Sequence, residues 1–144
     1  MSGRHLAFPF HIGADGRTAA PADLADHIRG EVIQLLLTAP GERPFLPSFG
    51  AGLRRLVFER NDDATAAIAR ALISQNLSRW LGHRVTVERL DVRAGNALLR
   101  GEVNEAARRV PPQDIQATIA IDLRYRVIAT GEVRDVRFER SGAA

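Results

Sequence analysis

The sequence predicts an α+β fold in which N-terminal helices pack on a largely antiparallel β-sheet that closes with a long C-terminal hairpin. Three observations predict it. Apolar residues recur at helical spacing in the first half of the chain, from Leu24 to Leu36 and again from Ile68 to Leu81. From Val85 onward the period drops to two, most clearly between Ile115 and Val127. Helices come first and strands second, an order that fits α+β better than alternating βαβ units.

Residues 1–20 form an irregular arm, because Pro9 opposes a helix and Gly13-Ala14-Asp15-Gly16 is a turn cluster. The first helix starts near Pro21-Ala22-Asp23, where a proline and an acid suit the free N–H groups. Leu24, Ile28, Val32, Leu35 and Leu36 make its apolar stripe, and Pro40-Gly41 stops it. Residues 40–50 hold three of the seven prolines and predict an ordered loop, followed by a short helix from about Ala51 to Phe58. Asn61-Asp62-Asp63 marks the start of the next helix. Its buried face is expected to be Ile68, Leu72, Ile73, Leu77, Trp80 and Leu81, and Gly82 ends it.

Val85 and Val87 share one parity while Leu90 and Val92 take the other, so a bulge is expected near Glu88-Arg89. A short strand over Ala97–Val103 and a loop over Glu105–Pro112 follow. The segment Gln113–Val127 reads as one strand of some 13–15 residues with apolar residues at all seven odd positions from 115. Thr130-Gly131 then turns the chain into a last strand ending near Phe138.

The 144 residues suit a single domain over 1–144 without a linker or internal repeat. The chain has no cysteine, which removes disulfides, zinc–thiolate sites and cysteine catalysis and fits a reducing compartment. No apolar run is long enough for a signal peptide or a membrane span, so no membrane role is expected and synthesis is placed in the cytoplasm. All 20 basic residues are arginines, yet the formal net charge is only +3. The arginines are dispersed, with Arg54-Arg55 and Arg108-Arg109 the adjacent pairs, which argues against nucleic-acid binding.

Catalytic constellations are not evident. The four histidines, His5, His11, His27 and His83, have no metal-binding spacing, so neither a metal nor a cofactor is expected. A Walker loop is impossible without lysine, and Gly50-Ala51-Gly52 lacks the strand and third glycine of a dinucleotide loop. Carboxylate pairs for sugar hydrolysis meet only in the fold; Glu31, Glu42, Glu59 and Asp62-Asp63 are the candidates. Of these, Asp62-Asp63 is better read as a helix cap and Glu31 as polar-face.

The stretch Thr38-Ala-Pro-Gly41-Glu42-Arg43-Pro-Phe-Leu-Pro47-Ser-Phe49-Gly50-Ala-Gly-Leu53 resembles the signature T-x-x-G-E-R-x-x-x-P-x-F-G-x-x-L of the gene-product-25-like (GPW) baseplate wedge family. Phe8-Pro9-Phe10 ahead of the Asp15-Gly16 turn, His27-Ile28 in the helix entering the signature, and Tyr125 in a late strand agree with it. The resemblance covers roughly residues 5–128. It implies a structural subunit of contractile phage tails, pyocins, extracellular injection systems or type VI machines. Such proteins join the wedge to the first sheath ring and resemble the sheath's own interlocking domain.

Wedge proteins and sheath subunits are therefore the expected partners, in six copies or a multiple per particle. Glu42, Arg43, Phe49, Gly50 and Arg84 are the expected signature-loop or wedge-interface residues. Many family members carry Glu-Pro-Arg after the second long helix, a motif that docks on the wedge's helical core bundle. Gly82-His83-Arg84 keeps only the arginine. At roughly 45 Å, the strand 113–127 exceeds what a small domain needs. Ile119, Ile121, Leu123, Tyr125 and Val127 are therefore expected to contribute to a sheath interface by strand pairing. Because some family members carry a lysozyme-like label, peptidoglycan cleavage is the alternative function.

Overall fold

The computed structural model of the chain describes residues 6–55, 63–94 and 118–141. Helix α1 spans Leu24–Leu37. Asp23 caps it, its carboxylate accepting from the Asp26 N–H at 2.8 Å. At the other end, the Thr38 N–H and hydroxyl both donate to the Gln34 carbonyl, at 2.9 and 2.6 Å. The inward stripe is Ala25, Ile28, Val32, Leu35 and Leu36, all nearly inaccessible to solvent. Leu24, expected in that stripe, is 46% exposed; Ala25 takes the inward position at the helix start.

Helix α2 spans Asp63–Asn76 and passes into a π-helical turn over Leu77–Leu81. Ile73, Leu77 and Leu81 are buried as the period predicts, and Trp80 is partly buried against the core. Ile68 and Leu72 depart from expectation, at 58% and 39% exposed. The buried positions ahead of Ile73 are Ala66 and Ala69, seven and four residues before it in the same helical row. Helix α2 lies against the first strand, and small alanines allow that close approach where isoleucine and leucine would hold the layers apart. Ile68 and Leu72 line a shallow cleft beside Pro40, Gly52 and Arg55.

The sheet has three antiparallel strands in the order β1 (Val85–Ala94), β2 (Thr118–Val127) and β3 (Val133–Ser141). The register shifts between Val87, opposite Tyr125, and Arg89, opposite Arg124. This is the bulge that the parity change predicts, and it keeps Val85, Val87, Leu90 and Val92 all turned to the core. In the β2–β3 turn, Gly131 adopts φ +71° and donates to the Val127 carbonyl at 2.8 Å. Strand β3 runs three residues past the expected end at Phe138.

Strand β2 is the central strand, paired with β1 on one side and β3 on the other. Ile119, Ile121, Leu123, Tyr125 and Val127 are all buried in this chain's own core. Over 118–127 neither these side chains nor the backbone edge is free for a partner. The expected sheath contact through these five residues is thereby corrected, because the alternation that suggested it is the signature of the chain's own inner face. The expected extension over 113–117 lies outside the described residues, as do the strand over 97–103, the loop over 105–112 and the last three residues, 56–58, of the short helix expected from Ala51. Within 51–55 the chain makes a turn, with the Arg55 N–H on the Gly52 carbonyl at 2.9 Å.

The outer face of the sheet is charged and self-compensating. Arg126 meets Glu88, Arg124 meets Asp135 at 2.8 Å, Arg93 meets Asp122, and Arg137 meets Glu139 at 3.1 Å. The N-terminal arm folds back on itself, the Ala7 N–H donating to Ala19 and the Ala19 N–H to His11, both at 3.0 Å. It rests on α1 where Gly30 lacks a side chain: a Cβ there would stand 3.2 Å from the Phe8 Cβ.

Candidate functional site

The loop after α1 is built around the helix's unsatisfied carbonyls. The last turn of a helix leaves C=O groups without partners. Here the Ala51 N–H donates to Leu35 at 2.9 Å, Leu53 to Leu36 at 3.1 Å, and Gly52 to Thr38 at 2.9 Å. Such close docking of two backbones leaves no room at Gly50, where φ is +117° and a Cβ would lie 2.1 Å from the Thr38 oxygen. The loop closes on itself through the Gly41 N–H and the Pro47 carbonyl at 2.7 Å. Leu53 anchors its far end in the core at 8% exposure.

Glu42 is used inside this loop. Its Oε2 accepts from the Ala39 N–H at 2.8 Å. Arg43 points the other way, toward α1 and the π turn: Nη2 donates to Gln34 Oε1 at 2.9 Å, and the guanidinium stacks 4.3 Å from the Phe49 ring centroid. Phe49 meets Trp80 edge-on, with centroids 5.4 Å apart and planes at 67°. The guanidinium of Arg79 lies over the Trp80 ring, 5.4 Å from its centroid. Two cations therefore flank a pair of aromatic rings.

Arg84 follows the π turn and is fixed by backbone bonds, its N–H on Leu81 at 2.8 Å and its carbonyl receiving the Ile128 N–H at 2.9 Å. Its Nη1 donates to both carboxylate oxygens of Glu31, at 2.8 and 2.7 Å. His27, one turn earlier on α1, places Nε2 3.3 Å from Glu31 Oε1. The acid that the Gly82-His83-Arg84 sequence lacks locally is thus supplied from α1, 53 residues away.

Of the residues expected at an interface, Arg43, Phe49 and Arg84 come together in one cleft of about 290 Å³, together with Glu31, Gln34 and Trp80. Glu42 and Gly50 do not line it; they serve the loop's internal geometry. Sequence reading passed over Gln34, Arg79 and the ring of Trp80 as site residues, and no local spacing signals their convergence. The cleft is smaller than most small-molecule sites. Glu31 is the one carboxylate among its described lining residues, and both of its oxygens face Arg84. Among the described residues no group of His, Asp or Glu is arranged to hold a metal ion. Nor is any described helix long and apolar enough to cross a membrane.

Residues 22–132 match the family model of baseplate wedge protein gp25, a span that contains the loop, both helices and the hairpin turn. The chain belongs to the gp25 baseplate wedge family. This is a family of structural baseplate components of phage tails, so the role of this wedge-family chain lies in assembly within a tail-type particle. A solved structure from Geobacter sulfurreducens, provisionally described as a tail lysozyme, is similar with a TM-score of 0.60 at 19% sequence identity. The alignment covers 88% of this chain and 97% of that one. At that identity the likeness establishes the fold and nothing further. No curated protein matches the chain. The family match ends at Glu132, so β3 lies beyond it.

Proposed function

We propose that this wedge-family protein works without catalytic turnover, joining the baseplate wedge to the first sheath ring in six copies or a multiple, and templating the sheath by strand pairing. The observation that carries the pairing is the outer edge of β3. Nine residues of β3, Val133–Ser141, pair with β2 on one side, and among the described residues nothing pairs on the other. The strand contains no proline, whose missing N–H would block pairing along that edge. A partner strand added there would gain main-chain bonds along the edge.

The test uses a backbone change that spares the sheet. The Val127 N–H donates to the Glu132 carbonyl at 2.8 Å, so antiparallel alternation turns the N–H groups of 133, 135, 137 and 139 outward. Arg137→Pro removes one outward donor while leaving the main-chain bonds to β2. Co-purification of the tagged protein with sheath and wedge subunits is expected to lose sheath and retain wedge, with an unchanged circular dichroism spectrum. Retained sheath binding by a folded variant sinks the edge-pairing role.

Peptidoglycan cleavage is the alternative, suggested by the description of the Geobacter protein. It requires two carboxyl groups about 5–10 Å apart, whereas Glu31 stands against a guanidinium with no second described carboxylate lining its cleft. Clearing of a cell-wall suspension by the wild-type protein that disappears in Glu31→Gln would overturn the assembly reading.

A further inference from the structure

Arginines are distributed unequally with respect to carboxylates. On the sheet, Arg89, Arg93, Arg124, Arg126, Arg134 and Arg137 each meet an acid. Around the cleft, Arg84 is matched by Glu31. Arg43 and Arg79 are not matched among the described residues: Arg43 bonds the neutral Gln34, and both guanidiniums lie on aromatic rings. The neighbouring acids have other duties, Glu42 capping the loop and Glu31 holding Arg84.

Successive ring contacts link the four side chains into a row of neighbours, Arg43–Phe49–Trp80–Arg79, at 4.3, 5.4 and 5.4 Å. A guanidinium stacked on a ring keeps its plane fixed and directs its N–H fork sideways, the geometry that receives a carboxylate in bidentate fashion. Beside the row the loop exposes Phe45 at 96% and Leu46 at 39%. Arginine and tryptophan with adjoining exposed apolar side chains is the composition of protein interface centres. A phosphate backbone would find only scattered cations here, with two carboxylates among them.

We propose that this row is a docking surface for an acidic, partly apolar segment of a wedge partner, with carboxylates on the forks of Arg43 and Arg79 and an apolar side chain against the rings. The inference deepens the assembly reading above and rests on it. It assigns the docking cations to Arg43 and Arg79; Arg84 stays engaged with Glu31 and supports the cleft wall.

The experiment measures binding of the full-length protein to each purified wedge chain encoded with it, by biolayer interferometry over a series of salt concentrations. The Arg43→Glu/Arg79→Glu double variant is expected to bind the partner at least tenfold more weakly and with a flatter salt dependence. Arg70→Glu, at an exposed position on α2, is expected to bind like wild type. Because Arg43 also braces the loop, Arg79→Glu alone is expected to weaken binding severalfold with an unchanged melting temperature. A wedge chain that binds wild type and double variant equally overturns the docking surface while leaving the assembly reading intact. Failure of every wedge chain to bind wild type overturns both. Binding of a short double-stranded DNA that is lost in the same variants and competes with the wedge chain overturns the assignment to an acidic protein partner.

Discussion

Replacing Gly50 with alanine tests the central claim about the signature loop, that its backbone docks directly on the end of α1. Two costs add. The first is conformational: φ of +117° lies where side-chain-bearing residues are rarely found, a penalty of about 1–3 kcal/mol. The second is steric: the new Cβ would stand 2.1 Å from the Thr38 oxygen and 2.8 Å from its carbonyl carbon, both backbone atoms that cannot swing aside. Forced repacking of that kind costs about 1–3 kcal/mol. Displacing the Thr38 carbonyl also strains the bond it accepts from Gly52, worth about 1 kcal/mol. The total, about 3–7 kcal/mol, is a large fraction of the roughly 5–15 kcal/mol that holds a domain folded. Urea denaturation followed by far-UV circular dichroism measures it, and the melting temperature is expected to fall by roughly 10–20 °C. Gly41→Ala is the control. Gly41 also has positive φ, at +85°, but nothing lies within 4 Å of its added Cβ, so only the conformational cost of about 1 kcal/mol applies. Equal losses in the two variants would refute the claim that close backbone docking is what Gly50 permits.

Two single-residue probes, the one tyrosine and the one tryptophan, serve the next predictions. Tyr125 is the single tyrosine, and burial pushes its phenol above the ordinary value, so absorbance near 295 nm is expected to titrate above pH 10 in the folded protein. The corresponding stability is fully present below the unfolded tyrosine value and is lost as pH rises through the folded one, and Tyr125→Phe is expected to remove that alkaline dependence. The same variant removes a buried hydroxyl that has no hydrogen-bond partner among the described residues, and is expected to stabilise the protein at neutral pH by about 1 kcal/mol in urea titration. Trp80 is the single tryptophan; Phe49→Ala is expected to red-shift its emission and cost about 2 kcal/mol, whereas Phe49→Leu leaves the emission nearer wild type. A hydrogen bond from Arg124 lowers the Asp135 carboxyl, so its stabilising effect is present above the unfolded value and fades as pH falls through the folded one. Carboxyl NMR titration is expected to show this lowering in wild type and its loss in Arg124→Gln.

Local physics made much of the fold readable. The first helix, the alternation that builds β2, the bulge at the Val87–Arg89 parity change and the Gly131 turn each depend on neighbours close in sequence, so periodicity and turn chemistry carry them. The signature loop was legible as a motif, and its residues proved to be a device for satisfying the end of α1. Two features depended on tertiary placement. Helix α2 carries two apolar rows, and only close packing against β1 selects Ala66 and Ala69 over the larger Ile68 and Leu72. The alternating face of β2 could not by itself say whether it serves this chain or a partner; two flanking strands and overlying helices decide for this chain.

The sequence by itself determined the element types, the loop motif and the family, because those are written in local spacing and side-chain chemistry. Only the tertiary structure decided which charges find partners. Glu31 reaches Arg84 across 53 residues, while Arg43 lies on Phe49 and Arg79 on Trp80, each without a described acid. Pairing energy depends on distance in space, and chain spacing fixes that distance only within a few residues.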